Sequence, residues 1–598
     1  MSLAYRAVGW NRQKRLYDFG IAGALLLGLA IDAAITFLLR PATTAETFVI
    51  RFTSISALLL LHVILAIGPL ARLDRRFLPL LHNRRHLGVT MFLLAAIHGI
   101  FAIIQFHAGG NANPFVSVLT AYRHDYLSGN LAQFPFEAPG MLALAILFLM
   151  AATSHDFWLK NLGPSVWKTL HMLVYAAYAL ILAHVFLGAL QSERSPVYPV
   201  LLGLGFLALV ALHLTAFAKE RGLDRQRASA AADGFLRVAR CGDLEPDCGK
   251  VVMADGERVA LFLREGKVFA LSNVCRHQGG PLGEGRIVNG CLTCPWHGYQ
   301  YRVEDGCSPP PFTEVAPTYA VRVIGNDIYV SARPLPPGTQ SDGVPVHGNH
   351  QAAPASEFYI GWQSKTPNGL RRHTRIAFVS LLALLSVVWC GAAWFQAPVD
   401  AGVFEFGVER TFEGTLYERP LPFLQVAARR STSGMNFLLV GAGKFGAPDV
   451  IHGRNGQRVR FRGTLIARNG VAMIEMNRPD SFEVIGPAST ETLPVVQLGE
   501  GTFTGELVDT KCFFGVMRPA TGKVHRGCAI RCLSGGAPPG LLVRDEAGNG
   551  VVLLLAGPNG KKLDLDVELA ARELEVRGEL ELHSGTPVLR VRSWQLRN

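Results

Sequence analysis

Two stretches, Cys275-Arg276-His277-Gln278-Gly279-Gly280-Pro281-Leu282 and Cys294-Pro295-Trp296-His297-Gly298-Tyr299, decide how this 598-residue chain is read. Each carries one Cys and one His, so the four residues form a single mixed ligand set on two loops. Two thiolates on one iron and two imidazoles on the other suit a [2Fe–2S] cluster, and neutral imidazoles raise its potential above that of an all-thiolate cluster. A Cys2His2 set also suits zinc. Zinc sites, however, usually pair like with like along the chain, whereas here every loop is mixed.

The segment from about Gly234 to Pro336 resembles Rieske ferredoxins and the ferredoxin-like domain of ring-hydroxylating oxygenases, on these two stretches and on the later Pro309-Pro310-Pro311 turn. The resemblance implies an all-β domain whose cluster is held by Cys275, His277, Cys294 and His297. Rieske proteins of respiratory complexes add a disulfide between the two loops. Those positions are Gly280 and Trp296 here, so that bridge is absent. Tyr299 stands where those proteins carry a hydroxyl donor, which also favours the lower-potential type. Cys291 and Cys307 are read as packing residues.

Over the whole chain the composition is that of a membrane protein: 49% of residues are hydrophobic and 17% charged. Apolar runs lie near Phe19–Leu39, Val49–Leu70, Leu87–Phe106, Pro139–Ala152, Leu170–Leu190, Val197–Phe217 and Ile376–Phe395. Most approach the ~20 residues that cross a bilayer, and the fourth is short. Seven spans are expected. The first run is long and follows an N-terminal tail, so it reads as a retained span and not a cleaved signal. Basic residues fall on one set of flanks (Arg12, Lys14, Arg15; Arg72, Arg75, Arg76, Arg84, Arg85; Lys160, Lys168; Lys219, Arg221, Arg225, Arg227), and few fall on the other. The positive-inside rule puts the N terminus and the segment after six crossings in the cytoplasm, and everything after the seventh span outside. The net charge of +12 is accounted for by these clusters, and no basic globular domain or nucleic-acid motif accompanies it.

Imidazoles in spanning helices are costly and point to function. His98 and His184 sit at comparable heights, and His171 lies about 20 Å lower by helical rise. Two levels suggest two stacked b-type haems. Residues 171 and 184 do not share one face of an ideal helix, although a tilted or kinked helix could admit both to the bundle interior. The block resembles the ferric-reductase-like transmembrane family, notably the haem-binding subunit of bacterial methionine sulfoxide reductase. The matching stretches are Arg84-Arg85-His86-Leu87-Gly88 leading to His98-Gly99, and Trp167-Lys168-Thr169-Leu170-His171 leading to His184. That resemblance implies that His98, His171 and His184 ligate haem. The fourth ligand is His62 or His86, with His62 preferred because His86 falls in a basic loop. No flavin or nicotinamide domain follows the sixth helix, and the chain has no Gly-rich phosphate loop. Asp32, within the first span, is read as a helix–helix hydrogen-bonding group, with proton coupling or quinone contact as the alternative.

The expected organisation is therefore a tail (1–18), a six-helix haem domain (19–218), a connector (219–233), the Rieske domain (234–336), a linker (337–375), a seventh helix (376–396) and an external β-rich domain (397–598). His347 and His350 in the linker read as solvated. The last domain contains a repeat. Thr411-Phe412-Glu413-Gly414-Thr415-Leu416 echoes Thr502-Phe503-Thr504-Gly505-Glu506-Leu507, and Val459–Leu465 echoes Leu574–Leu580. Two OB-like barrels would explain it. The second copy holds Cys512, His525, Cys528 and Cys532. A disulfide is the favoured reading outside the cytoplasm, although three Cys leave one unpaired; a copper or zinc site would use all four residues.

Cluster inside, haems across and an exposed domain outside describe a wire in a bacterial inner membrane. Electrons would pass from a cytoplasmic donor (a ferredoxin, a flavin reductase or a quinone) to a periplasmic acceptor. The alternatives are a quinone-linked component and a redox sensor whose outer domain binds a partner. An oxygenase is disfavoured, because no 2-His-1-carboxylate domain is apparent.

Overall fold

A computed structural model describes residues 12–597 except His82, Gly163, 193–194, 226–228, 231–233, His297, Pro311, 347–357, 359–366, 397–401, 427–434, 489–492, Ala547 and 559–562. Of the residues singled out above, His297, Pro311, His347 and His350 lie outside the described set.

Among the described residues, six helices are long and apolar enough to cross a bilayer: α1 (Arg12–Leu39), α2 (Ala45–Leu73), α3 (Arg84–His107), the pair α5 (Pro164–Met172) and α6 (Val174–Leu187) counted as one, α7 (Val197–Asp224) and α8 (Asn368–Phe395). The shorter apolar α4 (Glu137–Ala152) completes the seven expected spans. Side chains such as Leu26, Leu204 and Phe186 are exposed along these helices, which is the surface that lipid would cover. The interior is built from Leu61, Ile64, Leu65, Met91, Leu147 and Ala177.

The helix α8 is part of the bundle and not a loose tether. Trp389 is buried and donates from Nε1 to Ser56 Oγ at 3.1 Å. Its ring lies where a Cβ on Gly28 would be, at 2.4 Å, so the missing side chain on α1 makes the seat. Arg40, just past α1, donates to the carbonyls of Ala393 (2.5 Å) and Trp394 (2.8 Å) at the end of α8, where the last helical carbonyls lack partners.

The Rieske domain is a twisted antiparallel sheet, in spatial order 235–240, 327–334, 318–324, 267–272, 257–264 and 249–254, plus a small sheet of 286–288, 291–293 and 300–301. Its strands alternate into cores around Leu261, Val268 and Ile328 on one face and Phe262, Leu271 and Tyr301 on the other.

After α8 come two barrels of one topology. The first uses β1 (Arg410–Tyr417), β2 (Phe423–Val426), β3 (Met435–Gly441), β4 (Gln457–Arg468) and β5 (Val471–Met476); the second uses β6 (Val495–Asp509), β7 (Pro539–Arg544), β8 (Gly550–Ala556), β9 (Glu573–His583) and β10 (Thr586–Leu596). In each, the third and fifth strands pair in parallel and all other neighbours pair antiparallel. This is the five-stranded Greek-key barrel that the repeat suggested. The repeated glycines do the same work in both copies. A Cβ on Gly414 would strike Gln425 O at 2.3 Å, and one on Gly505 would strike Leu542 O at 2.5 Å, so the first strand curls tightly against the second.

The Rieske domain and the barrels occupy opposite ends of the bundle. Arg258 of the Rieske sheet pairs with Asp224 (2.7 Å) and with Glu220 at the end of α7. At the other end, Arg526 and Arg572 from the second barrel converge on the buried Asp125, in the short helix Arg123–Leu127 that follows α3. Lys444 Nζ donates to Ala108 O at the C terminus of α3.

Candidate functional site

The two cluster loops are built on one hydrogen-bonding plan. Cys275 N donates to Gly280 O (2.8 Å) and Gly279 N to Cys275 O (2.7 Å); Cys294 N donates to Tyr299 O (2.8 Å) and Gly298 N to Cys294 O (2.9 Å). The fourth residue after each Cys is a glycine with positive φ, +73° at Gly279 and +72° at Gly298, a conformation side chains resist. The loops thus present two cysteines in matched settings, both buried. A Cβ on Gly280 would lie 2.8 Å from Cys294 Sγ and 3.2 Å from the Trp296 ring, so a side chain there would intrude on the thiol pair. The positions that lack the inter-loop disulfide therefore touch.

The Cys275 thiol is also prepared to ionise. Cys275 is lowered to about 7, first by the hydrogen bond from the Cys294 thiol and then, against burial, by the Tyr301 hydroxyl and the backbone N–H groups of His277 and Gln278. Tyr301 Oη is 3.3 Å from Cys275 Sγ and accepts from Arg276 N at 2.9 Å. The His277 ring stacks on Tyr299 at 5.0 Å and 6°, and Tyr299 in turn donates to Glu314. Buried thiolates receiving N–H and O–H bonds, beside an oriented imidazole, fit the cluster that the motif requires. His297 is outside the described residues.

In the bundle, the structure brings His98 (α3) and His184 (α6) together, with ring centroids 6.2 Å apart and planes at 83°. Each gives its Nδ1–H to a backbone carbonyl, His98 to Ile50 O (3.1 Å) and His184 to Phe136 O (2.8 Å). That fixes the tautomer and reserves Nε2 for a metal. Metal–imidazole bonds of about 2 Å put the centres of two axial imidazoles about 6 Å apart, so the pair fits one iron. The neighbouring helix is cut away for it: a Cβ on Gly140 would lie 2.5 Å from His184 Nδ1.

His171 sits on the other side of a break. The span is interrupted at Leu173 between α5 and α6, where the backbone stays in the right-handed helical region. His171 Nδ1 donates to Trp167 O (3.0 Å), its ring stacks on Trp167 at 3.8 Å, and its Nε2 is buried without a hydrogen-bond partner. His62 departs from the expectation. Its Nδ1 bonds Leu58 O at 2.9 Å and its Nε2 bonds Tyr178 Oη at 3.0 Å, so both nitrogens are occupied. His86 has Nδ1 on the Asp18 carboxylate at 3.0 Å, the pairing typical of a metal-bound imidazole. His213, on α7, was passed over in the sequence; its Nε2 is buried and unpartnered, and its ring packs edge-on against Tyr175 at 5.6 Å. Asp32 is buried within α1.

The cluster loops and the bundle meet at one place. A Cβ on Gly279, in the first cluster loop, would stand 3.4 Å from Lys168 Nζ, and Lys168 precedes His171 on the same helix. Arg85 at the start of α3 lies over Trp167 at 4.9 Å, so the basic end of the bundle closes around this contact.

Residues 234–320 match the family model of the Rieske [2Fe-2S] domain, and residues 53–182 match that of the ferric reductase like transmembrane component. The protein-methionine-sulfoxide reductase heme-binding subunit MsrQ of Caulobacter vibrioides is 30% identical over 25% of this chain and 64% of its own. Cholesterol 7-desaturase nvd 1 of Ciona intestinalis is 40% identical over 15% of this chain. Among solved structures, the ferredoxin of carbazole 1,9a-dioxygenase from Nocardioides aromaticivorans IC177 is 27% identical, covering 17% of this chain and 100% of that one with a TM-score of 0.16. The chain spans only 19% of the desaturase's length and less than two thirds of that MsrQ. Taken with the geometry above, the protein is a multi-pass membrane protein that joins a ferric-reductase-like transmembrane domain to a Rieske [2Fe-2S] domain.

Proposed function

We propose that the chain moves single electrons across a bacterial inner membrane. They would pass from a cytoplasmic donor through the Rieske cluster of Cys275, His277, Cys294 and His297, then through b-type haem, to a periplasmic acceptor. The observation that carries this reading is the approach of the Gly279 loop to Lys168 on the helix of His171. A cluster serving only soluble chemistry has no need to abut a haem-ligating helix.

The cofactors supply the redox chemistry, and the protein supplies spacing, burial and hydrogen bonds that set potentials. His98 and His184 would hold one haem, and Ile50 O and Phe136 O keep both rings in one tautomer. His171 would hold a second. His86 and His213 are the candidates for its second ligand, in place of His62. Tyr301, Arg276 N–H and the glycine turns hold the cluster sulfurs in a dry, hydrogen-bonded cradle. The positive-inside bias puts Arg72, Arg84, Arg85 and Lys168, and hence the Rieske domain, on the cytoplasmic side.

The test is reduction of the purified protein through the cluster. A ferredoxin or flavin reductase with its pyridine nucleotide is added, and haem absorbance and the Rieske EPR signal are followed together. Haem reduction that follows cluster reduction and disappears in Cys294→Ser supports the reading. Haem that is reduced at the same rate without the cluster overturns it, and reduction by quinol alone would make the chain a quinone-linked component.

A further inference from the structure

The second barrel differs from the first between its first two strands. Residues 418–422 make a short connection in the first barrel, whereas residues 510–538 intervene in the second. This insertion folds into a wide turn at Cys512–Val516 and the helix α9 (Gly522–Ser534). It gathers three buried thiols into a near-equilateral triangle: Cys512 to Cys528 is 3.8 Å, Cys512 to Cys532 is 3.8 Å and Cys528 to Cys532 is 4.0 Å. A disulfide needs sulfurs about 2.05 Å apart and would leave the third thiol alone. Metal–sulfur bonds of about 2.3 Å in a tetrahedron give sulfur–sulfur edges of about 3.8 Å.

His525 supplies a fourth corner. It lies one turn before Cys528, which is one turn before Cys532, so α9 presents all three on one face. A ring nitrogen of His525 and the sulfurs of Cys512 and Cys528 lie within 4.8 Å of one another. The imidazole is 1% exposed. Its Nε2 is held by Asp509 Oδ2 at 2.8 Å, and its Nδ1 is buried with no hydrogen-bond partner. Hydrophobic packing accounts for buried thiols but not for an imidazole with one nitrogen fixed by a carboxylate and the other unused. A carboxylate that orients an imidazole for a metal accounts for both. Asp509 also accepts from Cys512 N at 2.8 Å, so one carboxylate positions two corners.

We propose that Cys512, His525, Cys528 and Cys532 bind one Zn2+ in a closed tetrahedral site. Three thiolates and one imidazole form a structural zinc set with no open position, and the thiol protons leave to water on binding. The ion ties the wide turn to α9, and α9 is the element that faces the bundle. Arg526 pairs with Asp125, Arg531 donates to Ser117 Oγ (2.7 Å) and Thr120 Oγ1 (2.8 Å), and Gly527 gives room to Tyr122 and His107. Zinc would thus shape the surface by which the barrels dock.

The experiment measures zinc, copper and iron by mass spectrometry in the purified full-length protein and counts reactive thiols after denaturation, with and without a chelator. One zinc ion per chain, lost together in Cys528→Ser/Cys532→Ser while cluster and haem spectra persist, is the expected result. Cobalt exchanged into the wild-type protein should show the intense visible bands of tetrahedral, thiolate-bound Co2+, a readout that does not depend on a variant folding. Absence of zinc with a disulfide found among these cysteines, copper or iron in its place, or octahedral cobalt overturns the proposal.

Discussion

Lys168 Nζ stands 3.4 Å from the point that a Cβ would occupy on Gly279, which places a positive charge against the first cluster loop. A cation favours the reduced, more negative cluster. Lys168 is exposed, so screening limits its effect to about 0.5 kcal/mol, on the order of 20 mV for one electron. Lys168→Met is expected to lower the midpoint of the cluster by that amount, and Lys168→Glu by more, with slower haem reduction. EPR-monitored redox titration measures the shift; identical midpoints in all three proteins would remove Lys168 from the account.

Tyr301 offers a larger lever. Its hydroxyl is buried against Cys275 Sγ, and a donor to a ligand sulfur raises the potential. Tyr301→Phe keeps the ring and deletes a bond to a charged group that contributes about 1.5 kcal/mol, so the midpoint is expected to fall by about 60 mV. The same titration reads it, with EPR intensity per iron confirming that the cluster is retained.

For the bundle, His98→Ala and His184→Ala are expected to remove the same haem, because the two rings face one centre. His171→Ala removes another. His62→Ala is expected to leave haem content unchanged and to cost about 1 kcal/mol through its lost bond to Tyr178. Haem per chain, from the pyridine haemochrome, separates these outcomes. Loss of haem in the His62 variant would restore it as a ligand, and the same assay on His86→Ala and His213→Ala chooses between those two.

Asp125 holds the barrels on. It is 2% exposed and is met by Arg526 Nη1 at 2.7 Å and by Arg572. Asp125→Ala leaves two guanidinium groups crowded without an anion, a change that costs about 3–5 kcal/mol when a buried pair is broken. Limited proteolysis is expected to release the C-terminal domain faster in this variant while the haem spectrum is unchanged. Equal cleavage rates would show that docking does not depend on this cluster.

The Cys and His motif, the long apolar runs and the glycines of the barrel repeat were legible in the sequence because each expresses a local rule: ligand spacing, bilayer thickness, or a strand that must pass close to its neighbour. Gly414 and Gly505 announced their barrels in this way. The relationships that sequence did not reveal are all long-range. His62 reads as a ligand from its place in a span, and its contact with Tyr178 Oη, far along the chain, is not visible there. His86 looked like a loop residue because its partner, Asp18, belongs to another helix. The interruption at Leu173 carries no proline or glycine of its own, so nothing local marked it. The cysteines of the second barrel suggested a disulfide from their compartment; only their near-equal separations made the triangle visible.

The seat of Trp389 against Gly28 has a consequence for how the barrels are held. With α8 locked into the bundle, Gln396 ends the helix a short stretch of chain before Val403 begins the barrel domain. Docking onto Asp125 is therefore an intramolecular event at the millimolar effective concentration of a short tether, independent of how much protein the membrane contains. Barrels supplied as a separate polypeptide would face the same surface without that advantage and would need to be present at comparable concentration to occupy it.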